Sequence, residues 1–303
     1  MRRGPAPTVR ARFALAILLL PLVAGCAGTK ETTWASLHQD ALDQLATHRN
    51  DGRFSSFLAP YAVEAAALGG VDPNRWPTGD PAVVGLALPL GPYLSQLRPA
   101  YALALANPSD ASVQSQLRSV VLAGLNGTQF GEPALLNDDA FALRALAAAG
   151  SDAAADGWRA AVEGLARNQT GGWSYRMGVA PDTDSTGIVL VALGAANGLG
   201  LANRTAALAF LAASRDGDGG YGTSPGEVAN CHSTVWALRG HFALDAPTPN
   251  GAWAYLAALR APGGWAYPTG GAVNAFCTAE VATLFGAAVA AGIPVPPAFS
   301  FES

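Results

Sequence analysis

The sequence has few charged residues and few of the cations that nucleic-acid binding requires. Charged residues make up 13% of the 303 positions, and 18 Lys and Arg against 22 Asp and Glu give a formal net charge of -4. Phosphate backbones are bound by clusters of Lys and Arg, so we exclude nucleic acid as a partner. Hydrophobic residues make up 50% of the chain, which excludes intrinsic disorder.

The sequence also lacks a long hydrophobic run. The run near the N-terminus extends only from Phe13 to Val23, whereas a membrane-spanning helix needs about 20 apolar residues. Arginines precede it and small residues follow it, which is the layout of a secretory signal peptide. The segment Val23-Ala24-Gly25-Cys26 resembles the lipobox of prokaryotic lipoproteins, whose cysteine is acylated.

This resemblance implies a signal peptide over residues 1–25, a lipid on Cys26 and a tether over residues 26–33. The membrane is then a partner through the lipid anchor, and the protein is exported and held at the outer face of the cell membrane. The alternatives are an ordinary signal peptide that contains a cysteine and an uncleaved anchor.

The remainder of the chain repeats with a period of about 45 residues. Glycine-rich turns end in an aromatic residue at Phe130, Trp173, Tyr221 and Trp265, which are 43, 48 and 44 residues apart. Apolar and amphipathic helical segments alternate at this period, which indicates stacked helical hairpins. Five or six pairs fit between Trp34 and Gly292, either as an open solenoid or as a closed ring.

A cluster of polar residues follows each turn and precedes an apolar segment. The earlier gap, from Phe54 to Phe130, is close to two periods, so we place a degenerate unit around Tyr93 to Ala106. The four clusters are Asn137-Asp138-Asp139-Ala140, Asp182-Thr183-Asp184-Ser185-Thr186, Asn230-Cys231-His232-Ser233-Thr234 and Asn274-Ala275-Phe276-Cys277-Thr278.

The turns, clusters and helices together resemble the prenyltransferase and squalene-oxidase repeat. That repeat builds the α/α toroid of terpene cyclases, protein prenyltransferase β subunits and the transcobalamin group. Residues 171–297 carry the resemblance best and are closest to exported, transcobalamin-like toroids. The resemblance implies an all-α fold, an α/α toroid of about five to six helical hairpins over residues 34–294, with a tail over residues 295–303. It also implies parallel inner helices whose polar clusters ring one mouth of the barrel.

Asp182 and Asp184 match the first two Asp of the Asp-x-Asp-Asp motif of class II terpene cyclases, whose middle Asp protonates an alkene or epoxide. The resemblance therefore implies that Asp184 would be the acid if the protein were an enzyme. Ser185 replaces the last Asp, and those cyclases use a second domain that we do not expect here. We favour the alternative that these residues cap a helix and complement its dipole.

His232 and Cys277 occur where protein prenyltransferase β subunits hold zinc, and Cys231 or Asp184 could act as a further ligand nearby. The resemblance is partial, because the ligand types stand in exchanged order and Asn230 replaces the Asp. Three states remain open, namely a disulfide between Cys231 and Cys277, free thiols, and a metal site. We favour the disulfide, because two cysteines remain in an oxidising compartment once Cys26 is acylated.

Our main functional hypothesis is a lipid-anchored, non-catalytic module that binds a small molecule or a protein partner at the mouth. We expect no cofactor, with zinc and cobalamin as alternatives; in the transcobalamin-like group cobalamin lies between the toroid and a second, β-rich domain, which we do not expect here. The alternative functions are a terpene cyclase or prenyltransferase-like enzyme and a structural scaffold at the cell envelope. Helix N-termini favour anionic ligand groups, and the candidate ligand-binding residues are Asp182, Asp184, His232, Trp236 and Phe276.

Overall fold

The structure is a computed structural model that describes residues 32–77, 82, 83, 86, 88 and 92–299. The proposed signal peptide, Cys26 and most of the tether lie outside the described residues. None of the helices in the described ranges combines the length and the apolar character that crossing a membrane requires.

Helices account for most of the described residues, and the only strands among them are two short antiparallel hairpins. The hairpins pair β1 (Leu125–Asn126) with β2 (Gln129–Phe130) and β3 (Arg260–Ala261) with β4 (Gly264–Trp265). The helices, in chain order, are α1 (Trp34–Ala46), α2 (Ala59–Leu68), α3 (Tyr93–Ala106), α4 (Ala111–Leu122), α5 (Leu136–Ala148), α6 (Arg159–Arg167), α7 (Thr183–Ala195), α8 (Arg204–Ala213), α9 (Cys231–Ala243), α10 (Asn250–Ala258) and α11 (Ala275–Ala291).

Six helices form a closed inner barrel. Each of α2, α3, α5, α7, α9 and α11 packs against the next one, and α11 completes the ring by packing against both α9 and α2. The helices α1, α4, α6, α8 and α10 pack outside this ring. The inner helices therefore form a closed ring and not an open solenoid, which confirms the predicted all-α toroid. The degenerate unit is α3, and the described residues between α2 and α3 form no helix.

An Asp or Asn side chain caps the N-terminus of three inner helices, as the capping interpretation requires. The Asp182 carboxylate accepts a hydrogen bond from the Ser185 N–H at 2.7 Å, and the Asn230 side chain accepts one from the Ser233 N–H at 2.9 Å. Asn274 caps α11 in the same way. Asp184 lies in the first turn of α7 and is not its cap. Capping thus accounts for Asp182 and leaves Asp184 without that role.

A second repeated contact joins each of the last three turns to the inner helix that follows it. A threonine in the first turn of the helix accepts a hydrogen bond from the backbone N–H of the turn aromatic, and the two residues are 13 positions apart in each case. The pairs are Trp173 with Thr186 at 2.9 Å, Tyr221 with Thr234 at 2.9 Å and Trp265 with Thr278 at 3.0 Å.

We expect Thr234→Val to lower the free energy of unfolding by about 1–3 kcal/mol, because it leaves the buried N–H of Tyr221 without an acceptor at nearly unchanged volume. Urea denaturation measures the change. Thr205→Val is the matched control, since Thr205 is exposed in the first turn of α8. An equal loss in both variants would contradict a role for the repeated contact.

Candidate functional site

His232 lies between two carboxylates from neighbouring inner helices. Its Nδ1 is 2.5 Å from Oε2 of Glu280 in α11, and its Nε2 is 3.6 Å from Oδ2 of Asp184 in α7. The side chains of Asp184 and His232 are each 22% exposed, whereas that of Glu280 is 3% exposed. Asp184 and His232 were predicted from the sequence, and Glu280 was missed. The only sequence signal for it is a carboxylate within an otherwise apolar helix.

A glycine allows α7 and α9 to approach closely enough for this contact. A Cβ at Gly187 would lie 2.2 Å from the backbone oxygen of Trp236, so a side chain there would push the two helices apart. His232 lies one turn before Trp236 in α9. The packing at Gly187 therefore places His232 beside Asp184.

The burial of the cluster perturbs the pKa values of its members. Burial alone would lower the pKa of His232, but the charges of Glu280 and then Asp184 outweigh it and raise the pKa to about 9. His232 is therefore an imidazolium at neutral pH. Burial raises the pKa of Asp184, and the charge of His232 opposes part of that rise. Asp184 thus tends to keep a proton next to a cation that stabilises the carboxylate left when the proton departs.

The two oxygens of Asp184 have different surroundings. Its Oδ2 faces His232, whereas its Oδ1 is buried. The Ser233 side chain forms a hydrogen bond with this carboxyl group that lowers its pKa. Because Oδ1 is buried, any proton transfer to a bound molecule must take place at Oδ2.

Aromatic rings lie beside the cluster at the same mouth of the barrel. The ring of Phe276 is 5.6 Å from that of His232 and 4.4 Å from that of Tyr61, measured between centroids. Phe57 stacks on Phe276 and is 68% exposed. Phe276 therefore occupies the position expected of a ligand-contacting residue.

Trp236 is buried in the structure, whereas the sequence predicted that it would contact a ligand. The side chain is 1% exposed, so it does not present a surface to a ligand at this mouth. Its Nε1 donates a hydrogen bond to Oε1 of Glu280 at 3.1 Å. Trp236 therefore fixes the carboxylate that keeps His232 charged.

Two cavities open at this mouth. One has a volume of about 510 Å³ and is lined by Asp182, Asp184 and His232 together with Ile188 and other residues. The second, of about 350 Å³, is mostly apolar and has Arg98 as its charged lining residue. The structure thus brings the polar residues of the second and third clusters together beside a cavity, as the resemblance implied.

Below the mouth, the barrel axis is filled by a buried charged cluster that the sequence analysis did not identify. Oε1 of Glu64 accepts hydrogen bonds from Arg144 at 2.5 Å and from Arg239 at 2.7 Å, and its Oε2 is 3.7 Å from Arg98. Burial alone would raise the pKa of Glu64, but the three guanidinium groups lower it to about 2. We call these four residues the axial cluster. It closes the axis below the two cavities.

The two cysteines of the predicted disulfide are free in the structure, and the alternative zinc site has no assembled ligand set among the described residues. Cys231 and Cys277 are both free and buried, and Sγ of Cys231 contacts the backbone oxygen of Cys277 at 4.0 Å. Burial raises the pKa of the Cys231 thiol well above its ordinary value, so this thiol stays protonated. Within the described part of the chain, no group of three or more His, Cys, Asp and Glu is arranged to hold a metal ion. Both nitrogens of His232 face carboxylates instead.

The first polar cluster is divided between two places, because Asn137 lines the same cavity as Asp184 and His232, whereas Asp139 contacts the turn at Phe130. Helix α5 begins at Leu136, so Asp139 lies inside the helix and does not cap it. Its Oδ1 accepts a hydrogen bond from the Phe130 N–H at 2.6 Å. Burial raises the pKa of Asp139 to about 7. The folded protein therefore binds this proton more tightly than the unfolded chain does, and stability falls as the pH rises from the ordinary value of 3.8 towards 7.

We expect Asp139→Asn to remove this loss, because the amide keeps an acceptor for Phe130 and has no charge to bury. One pKa unit corresponds to about 1.4 kcal/mol, so the gain at about pH 8 is at most a few kcal/mol and is smaller at about pH 5. Urea denaturation at both pH values measures it. Asp43→Asn, at an exposed carboxylate, is the control. A gain that does not depend on pH would contradict the assignment.

Comparisons with known proteins agree with this architecture. No model of a sequence family matches the chain, and no curated protein matches it. A type II terpene cyclase from Scytonema has a similar structure, with a TM-score of 0.50 and 15% identity over 85% of this chain and 98% of that chain. ent-Copalyl diphosphate synthase from Streptomyces platensis has a TM-score of 0.55 and 17% identity over 78% of this chain and 50% of that chain. The fold is the α/α toroid of terpene cyclases.

At these identities the likeness concerns the fold alone. The chain spans about half the length of the synthase. It aligns with nearly all of the Scytonema cyclase, so a match to a type II terpene cyclase does not depend on a second domain.

Proposed function

We propose that the mouth of this toroid is a proton-transfer site of the terpene cyclase type, in which Asp184 protonates a carbon–carbon double bond of a short isoprenoid. The observation that carries the proposal is the partly exposed carboxyl group of Asp184, which lines the cavity beside the imidazolium of His232. The fold shared with terpene cyclases supports it.

The proposed reaction is an isomerisation that needs no cofactor. The O–H bond of Asp184 breaks, and the π electron pair of the double bond forms a new C–H bond. The positive charge left on the neighbouring carbon is captured by the next double bond of the same molecule, which closes a ring. The cyclised cation then returns a proton to the carboxylate of Asp184.

Each remaining residue of the site has a part in this step. Glu280 holds His232 in its charged form, and the imidazolium stabilises the carboxylate of Asp184 after it has given up its proton. The rings of Phe57, Tyr61 and Phe276 offer π faces to a cationic intermediate. Because the axial cluster closes the barrel axis, the substrate must fit within the mouth.

The second candidate function is the non-catalytic binding module. The axial cluster favours it, because three guanidinium groups and one carboxylate leave positive charge near the mouth, which repels a carbocation and attracts an anion. Arg98 lines the apolar cavity and lies 3.6 Å from the ring centroid of Tyr61. An anion with an apolar body would suit this second cavity.

One experiment separates these functions. The purified protein is incubated with geraniol and with farnesol, and the extracts are analysed by gas chromatography and mass spectrometry. A cyclic product of unchanged mass supports the cyclase. Saturable binding with complete recovery of the substrate supports the binding module, and the absence of a cyclic product contradicts the cyclase.

We also propose the lipid anchor at Cys26 and the location at the outer face of the membrane. The signal layout of residues 1–25 in the sequence supports both. We expect Cys26→Ser to move the protein from the membrane fraction to the soluble fraction of the cells that produce it, because it removes the acyl acceptor. Detergent phase partition followed by immunoblotting measures the shift. Cys277→Ser is the matched control, and an unchanged distribution of the Cys26→Ser variant would contradict the anchor.

A further inference from the structure

A third cavity lies at the opposite mouth, where the inner helices end. Its volume is about 400 Å³, and its walls include Leu68, Val191, Leu199 and Phe242. Arg239 is the charged residue among those that line it, and Tyr101 lies beside it. The cavity is therefore an apolar recess with a guanidinium group at its inner end.

The charges behind this cavity do not balance. Glu64 carries the negative charge of the axial cluster, and Arg98, Arg144 and Arg239 carry three positive charges. Arg98 is 15% exposed and lines the apolar cavity at the other mouth, so one buried positive charge remains without a carboxylate behind this cavity. An unpaired charge in a protein interior is costly, which favours an anion that enters from outside.

Arg144 contributes to this excess charge and lies close to the cavity. Its side chain is 1% exposed and forms side-chain hydrogen bonds with Glu64 and Tyr101. The guanidinium carbon lies 4.4 Å from the ring centroid of Tyr101, which lines the cavity. The charge of Arg144 therefore attracts an anion that is bound beside Arg239 and Tyr101.

We propose that this cavity binds the carboxylate of a small apolar acid, with the carboxylate at Arg239 and the apolar body against Val191, Leu199 and Phe242. The guanidinium group matches a planar carboxylate through two parallel hydrogen bonds. The apolar walls favour a hydrocarbon body over a bare inorganic anion. The site lies at the other end of the barrel from Asp184 and does not depend on the proposed function.

The test compares three probes on the full-length protein by isothermal titration calorimetry. Octanoate carries the carboxylate and the apolar body, octanamide carries the body without the charge, and inorganic phosphate carries charge without the body. We expect octanoate to bind about tenfold or more tightly than either of the other two. Any of three results would overturn the proposal. These are equal affinity for octanoate and octanamide, binding of phosphate that equals or exceeds that of octanoate, and no binding of octanoate.

A pair of variants locates the site without disturbing the axial cluster. Ala287→Phe places a ring in the cavity, since Ala287 lines it, and should weaken octanoate binding about tenfold or more. Ala290→Phe makes the same change at an exposed position of the same helix and should leave the affinity unchanged. Unchanged affinity in Ala287→Phe, or an equal loss in both variants, would place the octanoate elsewhere and overturn the assignment.

Discussion

Asp184→Asn is expected to abolish formation of the cyclic product while the protein stays folded. Asn has nearly the same size as Asp but no acidic proton, so the double bond would lose its proton donor. General acid catalysis contributes about 10²- to 10⁴-fold to a rate, and we expect a fall in kcat of about 10³-fold or more, because here it supplies the initiating proton. Product formation under saturating substrate measures the change.

Asp182→Asn is the matched control for this prediction. Asp182 lies two positions before Asp184 and lines the same cavity, but it acts as the helix cap through its bond to Ser185. Asn caps helices about as well as Asp, so both folding and turnover should stay close to those of the unchanged protein. Equal losses in the two variants, or full activity of Asp184→Asn, would refute the role of Asp184 as the acid.

Glu64→Gln is expected to produce the largest loss of stability. Glu64 is 1% exposed and contacts three arginines, so its neutralisation leaves two buried cations, Arg144 and Arg239, without a counterion. Breaking a buried ion pair in this way costs about 3–5 kcal/mol. The free energy of unfolding in urea measures the loss. The control is Glu163→Gln, because Glu163 pairs with Arg159 and Arg167 at the surface and such pairs contribute about 1 kcal/mol or less.

The pKa of Glu64 also determines how the free energy of unfolding depends on pH. The pKa of Glu64 falls from an ordinary value of 4.5 to about 2 in the folded protein. Its contribution is therefore present above the ordinary value and is lost as the pH falls towards 2. The Gln variant has no such group, so its stability should fall less steeply over this interval. Parallel acid-unfolding curves for the two proteins would contradict the assignment.

The repeat, the helices and their starting points follow from the sequence because they depend on local contacts. The cap bonds at Asp182 and Asn230 join residues three positions apart. The contact of a turn aromatic with a helix threonine spans 13 positions and recurs in each of the last three repeats. Short, repeated contacts leave a periodic pattern in the chain, and that pattern predicted the stacked helical hairpins. The resemblance to the prenyltransferase and squalene-oxidase repeat implied the toroid and the mouth at which Asp184 and His232 lie.

The partners of those residues depend on the tertiary structure. His232 and Glu280 are 48 positions apart, and Glu64 is 80 positions from Arg144 and 175 from Arg239. Which side chains meet across the barrel depends on closure of the ring and on the register of packed helices, as at Gly187, and neither leaves a periodic signal. The sequence by itself therefore determined the helical repeat and the mouth with its candidate acid. Only the folded structure decided that His232 lies between two carboxylates, that the two thiols are free, and that excess positive charge occupies the axis.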